Sequence, residues 1–121
     1  MNNKSLHIAP MMGWTTCHFR FLMRQLAPSC ILYTEMITAQ TLTHGNPNIL
    51  LEKHQEEHPI VCQVGGSDPK MLAKACKIVA ASGYDEINLN CGCPSSRVQQ
   101  AQIGAILYKD PKKVRRQDTK P

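Results

Sequence analysis

The stretch "PIVCQVGGSDPKMLAKACKIVAASGYDEINLNCG", residues 59–92, decides the fold. "PIVCQVGG" (59–66) reads as a strand, an apolar run stopped by a double glycine. "SDPKMLAKACKIVAASG" (67–83) is the clearest helix in the chain. Ser67 or Asp68 can cap it, Pro69 sits in its first turn, and Met71, Leu72, Ala75, Ile78 and Val79 recur at helical spacing, with Gly83 suited to its end. "DEINLNCG" (85–92) is the next strand. Two apolar strands joined by a helix, with no hairpin turn between them, run parallel.

Outward from this unit the pattern repeats. "HIAPMM" (7–12) is a short strand, and "TTCHFRFLMRQLA" (15–27) is a helix. That helix has Thr15 or Thr16 as N-cap and an apolar face of Phe19, Leu22, Met23 and Leu26. "CILYTEM" (30–36) is a further strand, a helix over about 37–44 closes at Gly45, and "NPNILLEKHQEEH" (46–58) is an exposed connector. "VQQAQIGAILYKDPKKV" (98–114) holds a short apolar run and the start of another helix.

Continuous apolar strands alternating with helices mean a parallel sheet covered by helices, which doubly wound sheets and β/α barrels both satisfy. Special residues gather at the C-terminal ends of the strands: Met11–Met12, Glu35, Gln63 with Gly65 and Gly66, and Asn90 with Gly92 and Cys93. In β/α barrels that face carries the active site. No G-x-G-x-x-G follows the first strand, which counts against a dinucleotide fold. The expected fold is therefore α/β, a β/α (TIM) barrel with about its first four β/α units present. Residues 1–108 would be the barrel's N-terminal half and 109–121 a basic tail.

The chain has 121 residues, 42% hydrophobic and 19% charged, as expected of one globular domain or a piece of a larger protein. No apolar run approaches the roughly 20 residues a membrane span needs, and "MNNKSLHIAP" lacks a signal-peptide pattern. A cytoplasmic location is expected. The net charge of +5 is concentrated at the C-terminus, where residues 109–121 hold six of the fourteen Lys/Arg and two of the nine acids. Such a tail is no evidence of RNA binding. The six cysteines are scattered through apolar elements, where free cysteine behaves as a small hydrophobe. There is one C-x-C and no second pair, and the five histidines show no metal-like spacing, so no metal site is expected.

Cys93 stands between Gly92, which permits close backbone approach, and Pro94, which cannot continue a ladder. Spacing leaves two readings: a turn cysteine without a role, and a thiol projecting into the mouth of a site. Cys91 follows Asn90 in the strand, so it points the opposite way and packs against helices. Asn88 and Asn90 share one strand face, and Gln63 precedes a double glycine. A buried amide without partners costs about 1–3 kcal/mol, so these residues have a hydrogen-bonding task, to a ligand or to a neighbouring loop. Glu35 either meets a ligand or pairs with an arginine.

"APMMGWT", "LYTEMIT", "EEHPIVCQVGGSDP" and above all "GYDEINLNCGCPSSRVQ" run in order from about residue 6 to about residue 107. Together they resemble the N-terminal half of bacterial tRNA-dihydrouridine synthase, A-type subfamily. The resemblance implies an FMN-binding β/α barrel that uses NADPH to reduce uridine to 5,6-dihydrouridine in the D-loop of tRNA. By the same resemblance, Cys93 is the general acid that protonates C5 of the base. Ala9, Pro10 and Met11 lie under the flavin, and Gln63 meets a polar edge of its ring. Asn90 lies beside the flipped uracil, with Arg97 and Glu35 as further substrate contacts. Departures from the family are Gly13, where an acidic residue is usual, and Gln100–Ala101, where Asn-Gly is typical.

The resemblance covers half a barrel, so weak or absent activity of the chain alone is expected. The tail "VRRQDTKP" is read as foreign to the family. An open half-barrel exposes strand edges, so self-association is a further expectation. Two alternatives stand beside this reading: another FMN-dependent barrel oxidoreductase acting on a small molecule, and a non-catalytic fragment docking on a full-length barrel.

Overall fold

A computed structural model describes residues 4–109 and residue 112. Apart from Lys109 and Lys112, the basic tail expected over 109–121 lies outside the described residues. In chain order the elements are β1 (His7–Ile8), α1 (Cys17–Leu26), β2 (Ile31–Tyr33), β3 (Ile37–Thr38) and α2 (Ala39–His44). Then follow α3 (Pro47–Leu50), a 3-10 turn (Gln55–Glu57), β4 (Ile60–Gly65), α4 (Pro69–Ala81), β5 (Glu86–Leu89), α5 (Ser96–Gln100) and a 3-10 segment (Gly104–Lys109).

All six residues of β4 are buried, and the sheet is built around it with every pairing parallel. β2 pairs with β4 through Leu32↔Ile60 and Tyr33↔Val61, and β1 pairs with β2 on its far side. β5 occupies the other flank of β4, from Val61↔Glu86 to Val64↔Leu89. Val64 also pairs with Ile37 of β3, so β3 must lie on the β2 side. β2 and β3 thus follow one line, and the five-stranded sheet is open.

The register sorts the side chains into two faces, because alternate residues point opposite ways. Ile60, Cys62 and Val64 share one face. Ile60 packs with Cys30, Leu32 and, from α1, Met23. Cys62 and Val64 pack with Leu42 of α2 and Leu72, Ala75 and Val79 of α4. Three helices therefore cover the same face of one strand, each buried leucine contributing about 1.5–3 kcal/mol. A doubly wound sheet carries helices on both faces. Helices on one face and strands in sequential order are instead the arrangement of an arc of a β/α barrel. Among the described residues no helix is long and apolar enough to cross a membrane.

Local signals explain most boundaries. Thr16 accepts from Phe19 N at the start of α1, and Asp68 accepts from Lys70 N ahead of Pro69 in α4. The strand expected over 30–36 is interrupted at Thr34–Met36, where the Thr34 hydroxyl donates to Glu35 O and accepts from Gln63 N. It resumes as β3, so the helix expected from 37 starts at Ala39, capped by Thr38. The connector expected over 46–58 contains α3, with Asn46 as cap and Pro47 in the first turn.

The apolar face expected for α1 needs correction. Leu22 and Leu26 are exposed, whereas Arg20 and Arg24 are buried. The Arg24 guanidinium donates to the carbonyls of Pro28, Cys30, Glu56, Glu57 and Pro59, tying the helix to the strand entrances. Arg20 Nε donates to Glu57 Oε1, and Arg20 also reaches the Thr15 carbonyl. Glu57, fully buried, uses its second oxygen to accept from His54 N at 2.6 Å. Helical spacing detects apolar faces, but a buried guanidinium with its donors satisfied serves the same purpose.

Candidate active site

The face of β4 opposite the helices carries Val61, Gln63 and Gly65, and the register sets Gln63 beside Asn88. Above these residues, at the C-terminal ends of the strands, lies a cavity of about 890 Å³. Pro10, Met12, Met36 and Leu89 give it apolar walls, and Gln63, Asn88 and Asn90 give it an amide edge. Cys93, Ser95 and Arg97 close one side.

The three amides form a chain. Gln63 Nε2 donates to Asn88 Oδ1 at 2.7 Å, and Asn90 Nδ2 donates to Gln63 Oε1 at 3.0 Å. Asn90 Oδ1 accepts from the backbone N–H groups of Gly92 and Cys93, both at 3.1 Å. Asn90 therefore bends the chain as it leaves β5 and sets the backbone of Cys93. The Cys93 carbonyl accepts from Ala105 N at 2.9 Å, which folds the 3-10 segment back over the turn. Gly104 makes this approach possible: its φ is +72°, and a Cβ there would stand 2.5 Å from the Cys93 oxygen.

The Cys93 thiol faces Ser95, with Sγ 3.5 Å from Oγ. The same hydroxyl oxygen accepts from Val98 N as the N-cap of α5. Ser95 lowers the Cys93 pKa below its ordinary value, first through the hydroxyl and then through its backbone N–H. Cys62 is the contrast: burial, its largest influence, pushes that thiol up to about 11.

The structure brings Cys93, Pro10, Gln63, Asn90 and Arg97 around one cavity, and leaves the other expected site residues out of it. Ala9 and Met11 do not line it, and Met12 takes the wall position on the first loop. Glu35 lies on a neighbouring cavity of about 420 Å³ and accepts from Gly13 N at 2.6 Å. Its carboxylate thus supports the loop after β1, and among the described residues it pairs with no arginine. Cys91, expected to turn toward the helices, is half-buried and lines the cavity. Sequence reasoning missed Ser95, Met36 and Gly104. For Ser95 a signal existed, since Ser before a short helix is a strong N-cap; the approach of Gly104 to Cys93 had none.

A cavity of this volume is in the range of small-molecule and cofactor sites. A flat heteroaromatic ring suits its apolar walls, and a hydrogen-bonding ring edge suits its amides. An isoalloxazine has both properties, so the residues present fit a flavin ring. Arg97 stands exposed at the rim.

Fold and site together define an open parallel α/β sheet, consistent with part of a β/α barrel, with a thiol of lowered pKa beside an amide-edged cavity at the C-terminal ends of its strands. The chain belongs to the dihydrouridine synthase family, whose model matches residues 7–117. It is 54% identical over 106 residues to a tRNA-dihydrouridine(20/20a) synthase of Xanthomonas campestris pv. campestris, covering 88% of this chain and 32% of that protein. A protein of the same name from Synechocystis sp. is 52% identical over 106 residues, with the same two coverages. Another, from Escherichia coli O6:H1, is 51% identical over 100 residues, 83% of this chain and 30% of that protein. The chain thus spans about a third of the length of the curated relatives it matches.

Proposed function

We propose that these residues form the proton-donor side of a tRNA-dihydrouridine synthase site, in which a uridine of the tRNA D-loop is reduced to 5,6-dihydrouridine. In this reading residues 1–108 are the N-terminal half of an FMN-binding β/α barrel. The chemistry that FMN would supply when bound and reduced by NADPH is a hydride for C6 of the uracil. Pro10, Met12 and Met36, which line the cavity, would hold its ring, and Gln63 would meet its hydrogen-bonding edge. The substrate base must leave the stack to reach a cavity of this kind.

Cys93 then gives its proton to C5 of the base and is left as a thiolate. The Ser95 hydroxyl and N–H, which lower the thiol pKa, stabilise that anion as it forms. Asn90 is a positioning residue for this step, because its carbonyl oxygen holds the Cys93 backbone. One N–H of Asn90 is engaged by Gln63, and its second is the one available to the base. Arg97 at the rim is placed to meet an RNA phosphate.

The observation that carries the proposal is the Asn90–Cys93–Ser95 arrangement, which sets and acidifies one thiol at the cavity edge. The test incubates the chain with FMN, NADPH and unmodified tRNA and measures dihydrouridine. Cys93→Ala should lower turnover by about 10²–10⁴-fold, the usual worth of a general acid, with flavin retention after desalting unchanged. Equal turnover by the parent chain and the variant overturns the assignment of Cys93.

A further inference from the structure

Away from the cavity, Cys17, His18 and His54 come together on the surface. One ligand atom from each lies within 4.8 Å of the other two, and none of the three lines the candidate active site. We propose that they form a Zn²⁺ site with three protein ligands and a fourth position open to water.

The donor set is the first argument. One thiolate sulfur and two imidazole nitrogens suit a borderline-soft divalent ion, and Zn²⁺ takes these donors tetrahedrally. With Zn–S near 2.3 Å and Zn–N near 2.0–2.1 Å, the ligand atoms of such a site stand about 3.3–3.6 Å apart. Closing from the observed separations needs shifts of about 1 Å. His18 and His54 are exposed and Cys17 is half-buried, so side-chain rotation alone can supply them.

The second argument is that the two segments are already fastened to each other. Cys17 and His18 begin α1, and His54 immediately precedes the 3-10 turn. Arg20, within a turn of Cys17, holds Glu57 through the buried ion pair, and Glu57 in turn accepts from His54 N. The His54 ring is itself oriented: Phe21 meets it edge-on, with centroids 5.1 Å apart and planes at 61°. The ion therefore would order little beyond the three side chains it binds. Bound there, it would cross-link the start of α1 to the segment leading into β4.

The spacing that argued against a metal was a property of the linear sequence. Cys17–His18 is an adjacent pair, not a zinc motif, and the third ligand is supplied by the fold.

Co²⁺ is the probe, titrated into the reduced full chain, with Zn²⁺ as competitor. One equivalent should bind, producing a sulfur-to-cobalt charge-transfer band and intense tetrahedral d–d bands, both abolished by Zn²⁺. Cys17→Ser should remove the charge-transfer band, and His18→Gln or His54→Gln should weaken binding by more than the 10–100-fold that loss of an outer-shell partner costs. Cys93→Ser, which alters a half-buried cysteine away from the cluster, should leave the spectrum unchanged. Zn²⁺ should also raise the thermal midpoint of the parent chain and not of His54→Gln. All three ligands are at least partly exposed, so the variants should keep the parent's far-ultraviolet circular dichroism. No cobalt binding, or a spectrum lost in Cys93→Ser and kept in Cys17→Ser, overturns the proposal.

Discussion

Gly104→Ala tests how the cysteine turn is closed, and Gly13→Ala supplies its control. Both glycines have positive φ, +72° and +78°. A side chain in that region costs about 1–2 kcal/mol. At Gly13 nothing lies within 4 Å of an added Cβ, so Gly13→Ala should lose only that amount. At Gly104 the added carbon would meet the Cys93 carbonyl oxygen at 2.5 Å, Val98 Cγ1 at 2.9 Å and Cys93 Cβ at 3.2 Å. Two of those atoms belong to Cys93 itself, so relief requires moving the turn, at a further cost of about 1–3 kcal/mol. The expected loss for Gly104→Ala is about 2–5 kcal/mol, measured by urea unfolding. Movement of the turn also separates Cys93 from Ser95. That removes the hydroxyl contact which lowers the thiol pKa, so Cys93 alkylation near neutral pH should slow, read by peptide-resolved mass spectrometry. Equal unfolding midpoints for the two variants, with Cys93 alkylated at the parent rate in both, would refute the closure argument.

The buried pair Arg20–Glu57 makes Glu57→Ala the most damaging change among the helix contacts. The stranded guanidinium should cost about 3–5 kcal/mol in urea unfolding, while Arg20→Met with Glu57→Leu should cost much less; equal losses would count against the reasoning. Asp85 has its pKa lowered, chiefly by the Ile60 N–H and then by His58. Its folded pKa lies below the unfolded value near about 3.9, so its stabilising effect is complete above that pH and fades as pH falls through the folded pKa. The acid-side slope of unfolding midpoint against pH should therefore flatten in Asp85→Asn, and an unchanged slope refutes the assignment. Cys93, with its lowered pKa, should alkylate in the native chain, whereas Cys62, buried and near 11, should label only after denaturation. Native labelling of both at one rate would refute that order.

What was legible in the sequence follows the range of the interactions involved. The strands of residues 59–66 and 85–92 and the helix between them depend on alternation, capping and a terminal glycine, all read within a few residues. The line of strand residues 30–36 was seen, but its break at Thr34 depends on a hydrogen bond from Gln63 N, 29 residues away. Arg20 and Arg24 were hidden for a related reason: an arginine on a helix reads as surface, and only strand ends folded against it supply carbonyls to bury it. Asn90 and Gln63 stood out because amides at the ends of apolar strands demand partners, whereas spacing left Cys93 open between a turn residue and a site thiol and only the family resemblance gave it a role. The Gly104 contact with Cys93 and the approach of His54 to Cys17 left no local mark.

The amide chain shows why the residue types at the cavity edge are restrictive. Gln63 must donate to Asn88 and accept from Asn90 at once. A glutamate there would lack the donor, a lysine would lack the acceptor, and a leucine would leave two amides unpartnered at about 1–3 kcal/mol each. The direction of the Gln63 amide fixes which end of Asn90 faces it, and so leaves the Asn90 oxygen for the backbone of Gly92 and Cys93. A hydrogen bond between two strands thus sets the backbone on which the Cys93 thiol stands. The same bonds occupy the amide oxygens that face along the strands and leave amide N–H groups of Gln63, Asn88 and Asn90 for a ligand. The position of the thiol and the polarity of the cavity edge have one cause, the register that places Gln63 opposite Asn88.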